Sequence, residues 1–296
     1  MNVLITGANG FLGQHLTLYL ASKGFVVSAT SRNASRIPSR EKFTYYNVDL
    51  TDETEVKQLV ATVQPDVIIH TAAMSKPDEC DADKEACLLH NVAATQFLLE
   101  AVKALKPAAH FIYTSTDFIF GENGPHAENE APAPLNFYGE SKLQAENAVM
   151  NSGLFASVVR PVFIYGEIWE GLRPTFLHWV KNSLEQGKNI KVVNDQRRTP
   201  TFVQDLCNGY EQIIMQRKSG IYNLAGQDVC SPYEMAIVTA RALGLNETLI
   251  EKVTSDTFKE VVVRAKQSGL KIDKARAELG YSPVAFEEGV KLTFGI

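Results

Sequence analysis

Three glycines in Gly7-Ala8-Asn9-Gly10-Phe11-Leu12-Gly13 follow an apolar run at 3–6 and open the amphipathic stretch Phe11–Ser22. A strand that turns this tightly into a helix restricts the chain to a narrow set of α/β folds. Glycine lets backbone N–H groups and the helix N-terminus approach a phosphate that a Cβ would hold away. The expected ligand of Gly7, Gly10, Phe11, Leu12 and Gly13 is a dinucleotide pyrophosphate. The plainer reading is a strand-turn-helix corner with incidental glycines, and its place at the start of a wound pattern weighs against that.

The pattern continues with β-branched runs at 25–30, 43–48, 66–70, 110–115 and 155–160. Helical periodicity separates them at 51–63, 84–106 and 136–151. This alternation predicts an α/β fold: a doubly wound, Rossmann-type parallel sheet. After Arg160-Pro161 the residues Gly166, Gly171, Pro174, Gly187 and Pro200 punctuate shorter elements. We therefore expect a dinucleotide-binding domain at 1–165 and a smaller α/β substrate-binding lobe over most of 166–296. A helix at 203–217 and a strand at 221–224 are expected to return to the first domain, so that about 203–225 belongs with it. Helices at 231–243 and 273–279 are assigned to the smaller lobe.

With 296 residues, 45% of them hydrophobic, the chain can bury a large core. A net charge of -5 and the lack of a long Lys/Arg run argue against a nucleic-acid partner. Cys80, Cys87, Cys207 and Cys230 lack the paired short spacing of a zinc site and read as reduced thiols of a cytoplasmic protein. Neither a secretory leader nor an apolar run of membrane-spanning length is visible, so no membrane partner is expected.

A dinucleotide fold that prefers NAD usually presents Asp or Glu to the adenosine ribose about twenty residues beyond the glycines. Here no acidic residue occurs between Phe25 and Arg40, and the spot reads Thr30-Ser31-Arg32, followed by Arg36. Ser31 and Arg32 suit a 2'-phosphate, which favours NADPH and leaves NAD as the alternative. The competing reading makes Arg32 a solvated loop charge. Asp49 and Leu50 are placed to bracket the adenine, with Asp49 equally suited to a turn or cap.

The pentapeptide Tyr138-Gly139-Glu140-Ser141-Lys142 supplies chemistry. Residues four apart share a helix face, so phenol and ammonium project together. A neighbouring cation favours the ionised phenol, and Tyr138 is expected to titrate closer to neutrality than a free phenol. An acid beside a bound nicotinamide is what carbonyl reduction or alcohol oxidation requires. An ordinary i,i+4 polar pair is the bland alternative.

The ordered set Gly7-x-x-Gly10-x-x-Gly13, Asp49-Leu50, Ala72-Ala73, Asn91, Thr114-Ser115-Thr116, Tyr138-x-x-x-Lys142 and Arg160-Pro161 resembles the extended short-chain dehydrogenase/reductases. Within them, the stretches at 115–120 and 134–143, with Asp195-Gln196 and Thr199-Pro200-Thr201, resemble the dTDP-4-dehydrorhamnose reductases. The resemblance covers nearly the whole chain. It implies reduction of the C4 ketone of a nucleotide-linked deoxysugar. By the same resemblance Tyr138 donates a proton to the ketone oxygen, Lys142 binds the nicotinamide ribose and lowers the phenol pKa, and Thr116 orients the carbonyl. Asp117 would lie near the sugar, Ala72, Ala73 and Met74 would line the cofactor, and Asn91 would brace the structure behind the lysine.

Several positions depart from the reductase pattern. Met74 stands where those enzymes carry Tyr, Pro77-Asp78 where they carry Val-Asp, and Phe163 where they carry the Trp that packs on the sugar. Phe163 offers a smaller platform without an N–H donor, so the sugar is left open. Arg197-Arg198 reads either as a clamp on the substrate pyrophosphate, with Arg198 a substrate-binding candidate, or as an exposed solvated pair. No metal is expected, since Gln14 occupies the position where an acidic first-turn residue would be sought. Two other functions compete with the reductase. A nucleotide-sugar epimerase or dehydratase is one, although Thr116 is followed by Asp117-Phe118, where dehydratases carry Asp-Glu. A non-catalytic dinucleotide-binding subunit, like the regulatory subunit of methionine adenosyltransferase, is the other. A homodimer is compatible with either class.

Overall fold

The computed structural model describes residues 1–38, 41–169 and 171–296. The first half runs β1 Asn2–Thr6, α1 Phe11–Ser22, β2 Val26–Ser31, β3 Thr44–Asn47, α2 Glu53–Val63 and β4 Val67–His70. It continues with α3 Pro77–Ala82, α4 Lys84–Leu88, a π-helical turn Leu89–Ala93, α5 Ala94–Leu105, β5 His110–Thr114, α6 Phe137–Met150 and β6 Phe155–Arg160. The second half adds β7 Ile164–Tyr165, α7 Phe176–Glu185, β8 Ile190–Val193, β9 Thr201–Phe202, α8 Val203–Met215 and β10 Gly220–Asn223. It ends with α9 Pro232–Ala242, β11 Ile250–Val253, α10 Asp273–Leu279 and α11 Phe286–Phe294.

Seven parallel strands form the central sheet in the order β10-β6-β5-β4-β1-β2-β3. β1 pairs with β2 on one side and with β4 on the other, so the winding direction reverses there. In open α/β sheets ligands bind in the crevice at the carboxyl ends of the strands flanking such a reversal. Side chains alternate across the sheet: Val3 and Ile5 pack with Leu16 of α1 and Leu206 of α8, while Leu4 packs with Leu59 of α2 and Leu98 of α5. Both faces are covered, which is why β4 and β5 are buried at every residue.

Outside the sheet, β8 pairs with β11 and packs against α7 and α9 around Val180, Val192, Ala236 and Ile250. A capping box starts α9, where Ser231 Oγ accepts the Glu234 N–H at 3.1 Å and Glu234 Oε2 accepts the Ser231 N–H at 2.8 Å.

Four features differ from the sequence reading. The stretch 84–106 is interrupted by the π turn, and α3 precedes it. The second helix begins at Glu53, because Asp52 accepts the N–H groups of Thr54 at 2.8 Å and Glu55 at 3.0 Å. Helix α7 and strand β8 appear where the pattern showed only punctuation, and β11 and α11 in stretches given no element. Helix α10, assigned from sequence to the smaller lobe, instead contributes Ala275 and Leu279 to the core beneath the sheet with Tyr210 and Tyr222.

Candidate active site

A cleft of about 950 Å³ opens at the carboxyl ends of β1 and β4. Its floor is the glycine turn. Gly7 has φ +69°, and a Cβ there would stand 2.6 Å from the Ala72 nitrogen; on Gly13 it would stand 2.3 Å from the Gly7 carbonyl oxygen. Neither position admits another residue without moving backbone, so the turn fits closely against β4 and the α1 N-terminus faces the cleft. Gly10, Phe11 and Leu12 line it as expected, with Ala72, Ala73 and Met74 from the segment after β4.

At the end of β2, Ser31 and Arg32 also line the cleft. The Arg32 guanidinium lies 3.4 Å from His90 Nε2 on the π turn. Asp49 and Leu50 line it as well, yet the Asp49 carboxylate is already engaged: Oδ1 accepts the Thr51 N–H at 3.0 Å and its hydroxyl at 2.8 Å. Burial raises that carboxyl, but the two bonds from Thr51, with Arg32 nearby, hold it below its ordinary value. Its side chain thus closes the turn before α2.

Tyr138, Lys142 and Thr116 line the same cleft. Asn136 caps α6, accepting the Gly139 N–H at 3.0 Å, and Phe118 meets the Tyr138 ring edge to face at 5.5 Å. The phenol departs from the sequence expectation. Burial pushes it well above its ordinary value, Asp117 adds to the rise, and a hydrogen bond with Thr116 only partly opposes it. Lys142 Nζ donates to the Thr114 carbonyl at 2.7 Å and sits 4.2 Å from the centre of the Tyr113 ring. Burial brings its ammonium down to about 7. Burial therefore dominates the phenol, which stays protonated at neutral pH.

Behind these groups the π turn places Asn91 inward. Asn91 Oδ1 accepts the Met74 N–H at 2.7 Å, and Nδ2 donates to the Met74 carbonyl at 3.1 Å and to Ser141 Oγ at 2.9 Å. Ser141 donates to the Tyr138 carbonyl at 2.8 Å. One amide therefore ties the segment after β4 to the helix carrying Tyr138. The extra residue of a π turn is a common device at functional sites, and no periodicity signal announces it.

Asp117 and Phe163 line the cleft; Arg198 does not. Arg198 is 7% exposed and borders a small side cavity with Asp117 and Ser268. Its Nη2 donates to Gln196 Oε1 at 2.8 Å, while Ser268 donates to Asp117 Oδ2 at 2.6 Å. Burial raises the Asp117 carboxyl, and Arg198 opposes that rise. Arg197 turns elsewhere, to Glu234 at 2.7 Å. The two arginines are neither an exposed pair nor a joint clamp, because the backbone pairing of Arg198 with Cys230 sends successive side chains apart. Phe163 holds φ +41°, a left-handed conformation uncommon for a bulky residue, with its ring against Phe176.

Asn9 and Arg173 are among the lining groups that sequence reasoning missed. Asn9 sits inside the glycine turn, where only the glycines carried a signal, and Arg173 comes from a segment without periodicity. Among the described residues no group of three His, Cys, Asp or Glu is placed to hold a metal, and no helix is long and apolar enough to cross a membrane.

Residues 1–295 match the family model described as the RmlD substrate binding domain. The chain is 31% identical over 299 residues to methionine adenosyltransferase 2 subunit beta of Mus musculus, covering 98% of this chain and 86% of that one. It is 27% identical over 292 residues to the spore coat polysaccharide biosynthesis protein SpsK of Bacillus subtilis, covering 98% and 95%. The crystal structure of dTDP-4-dehydrorhamnose reductase from Bacillus anthracis in complex with NADP superimposes with a TM-score of 0.86 at 26% identity, covering 99% and 98% of the two chains. Glycine turn, parallel sheet and near-full-length match agree: this chain belongs to the RmlD substrate binding domain family.

Proposed function

We propose that the protein reduces the C4 ketone of a nucleotide-linked deoxysugar with NADPH, and that Tyr138 is the proton donor. The observation that carries this reading is the shared cleft: the glycine turn, the Ser31-Arg32 edge and the Thr116, Tyr138 and Lys142 side chains all line it. The residues fit a dinucleotide, since Gly7 and Gly13 leave backbone where a Cβ would intrude, and Ser115 Oγ is buried without a partner. Similarity to a reductase crystallised with NADP supports the choice.

A bound nicotinamide would supply hydride to the carbonyl carbon. Tyr138, kept protonated by burial, has a proton to give as negative charge grows on the ketone oxygen. Thr116, whose hydroxyl now points to Asp117 Oδ1 at 3.3 Å, is placed to hold that oxygen. Lys142 uses one N–H on the Thr114 carbonyl and keeps two for ribose hydroxyls. Its positive charge would favour the phenolate that proton transfer leaves behind. We assign the cofactor to residues 1–165 with 203–225, and the sugar nucleotide mainly to 166–296, with Asp117, Phe163 and Arg198 on its side.

The identity with a methionine adenosyltransferase subunit favours a second reading, a dinucleotide-binding regulatory subunit. Incubation with NADPH and a panel of nucleotide-linked 4-keto sugars, followed by mass spectrometry, separates the two. Reduced sugar nucleotide with matching NADPH loss supports the reductase. NADPH binding without any reduced product across the panel supports the subunit, and epimerised product without net NADPH loss would indicate an epimerase.

A further inference from the structure

The loop after β2 has little bracing of its own. Among the described residues, no backbone–backbone hydrogen bond engages residues 32–36, although Arg32 and Arg36 both line the cleft there. Among the described residues, the hydrogen bonds to the main chain of 32–36 come from Asn9, in the glycine turn, and from Tyr45 of β3. Asn9 Nδ2 lies 3.0 Å from the Ala34 carbonyl, 3.5 Å from the Asn33 carbonyl and 2.9 Å from the Tyr45 hydroxyl. Asn9 Oδ1 accepts the Arg36 N–H at 2.8 Å, and the Asn9 carbonyl lies 3.4 Å from the Arg36 guanidinium. Tyr45 completes the brace by donating to the Asn33 carbonyl at 2.5 Å. The Asn9 side chain is 5% exposed and uses both its donor and its acceptor ends.

We propose that Asn9 is a positioning residue for cofactor choice: it fixes the 32–36 loop so that Arg32 and Arg36 face a 2'-phosphate, which Asn9 itself does not touch. This rests on the NADPH reading above and adds its physical basis. An unbraced loop would have to be ordered at the moment of binding, and that cost would fall on the phosphate contacts alone. The pyrophosphate site, built from the glycine backbone and the α1 N-terminus, would be spared. Arg36 is well placed for the task, since its guanidinium currently rests on two carbonyls, Asn9 and Gly171 at 3.1 Å, that a phosphate would outcompete.

The test is a set of dissociation constants for NADPH and NADH measured by calorimetry on the full-length protein and its variants. Asn9→Ala should weaken NADPH about tenfold, the scale of one charge-assisted contact, and leave NADH within about threefold. Tyr45→Phe should shift NADPH in the same direction by less. Arg36→Ala should mimic Asn9→Ala, and the double variant should lose little more than either single one, because both changes remove the same interaction. Equal losses for both cofactors in Asn9→Ala, with a parent that does prefer NADPH, would overturn this inference and leave the NADPH reading standing. Full additivity of the two substitutions would also overturn it. A parent protein that binds the two cofactors equally would overturn both.

Discussion

At the cofactor end of the cleft the bonds of the Asn9 side chain to Asn33, Ala34 and Tyr45 join residues 24 to 36 positions apart. At the end that holds Asp117 the bonds between Asn136 and Val263 and between Asp117 and Ser268 span 127 and 151. The first set lies within the β1-β2-β3 unit, whose consecutive elements pack as neighbours. The second forms only when the segment preceding α10 docks beside the short 3-10 turn Asp117–Ile119 that follows β5, and it buries a carboxylate and a guanidinium to do so. The first end is thus set by the packing of consecutive elements, whereas the second depends on a distant segment docking.

Tyr138→Phe should have the largest effect, and it separates the ends cleanly. Loss of the proton donor should lower kcat by about 10²–10⁴-fold, with NADPH affinity and melting temperature nearly unchanged. Stopped-flow turnover paired with calorimetry checks this; a parallel loss of cofactor binding would show that the phenol serves the cofactor end instead. Arg32→Ala comes next and acts at the cofactor end alone. NADPH affinity should fall about tenfold or more and NADH affinity hold, corresponding to ~1.5–3 kcal/mol for a charge-assisted bond. Equal titration losses would make Arg32 a general anchor with no role in selection.

Asp205 tests a contact outside the cleft, where α8 anchors the C-terminal segment by accepting the Val284 N–H at 3.0 Å. Burial lifts its carboxyl to about 6 against that bond. A carboxyl whose folded pKa exceeds its unfolded value contributes stability that is complete below about pH 4 and is lost as pH rises through about 6. Asp205→Asn should therefore flatten the melting temperature across that window and raise it at neutral pH by on the order of 2 °C. A variant whose melting curve follows the parent at every pH would remove Asp205 from the account. The smallest effect is expected from Phe163→Trp at the sugar end, a change of a few-fold in KM, roughly 1 kcal/mol or less, through a larger stacking face. A change in cofactor affinity of the same size would place Phe163 with the nicotinamide.

The sequence made the cofactor end legible because its signals are local: glycines behind a strand, an acid missing after the next strand, and Tyr138 and Lys142 one helical turn apart. The direction of the phenol's shift was not legible, since the Lys142 spacing can be read but the burial that raises the phenol is a property of the packed fold. Arg198 illustrates the same limit. Its neighbour Asp117 is 81 positions earlier, and only the docked second lobe turns a charged dipeptide into one buried cation and one surface ion pair. The π turn that aims Asn91, and the left-handed Phe163, are departures from regular backbone that residue type does not announce.

The most direct measurement of the central claim follows deuterium from NADPH labelled at the transferable nicotinamide position. With dTDP-4-dehydrorhamnose or a related 4-keto sugar nucleotide as acceptor, the account predicts a reduced product carrying a single deuteron at C4, formed in step with NADPH oxidation and absent with Tyr138→Phe. Label that stays on the cofactor with every 4-keto sugar nucleotide, or product labelled equally by the Tyr138→Phe variant, would contradict it.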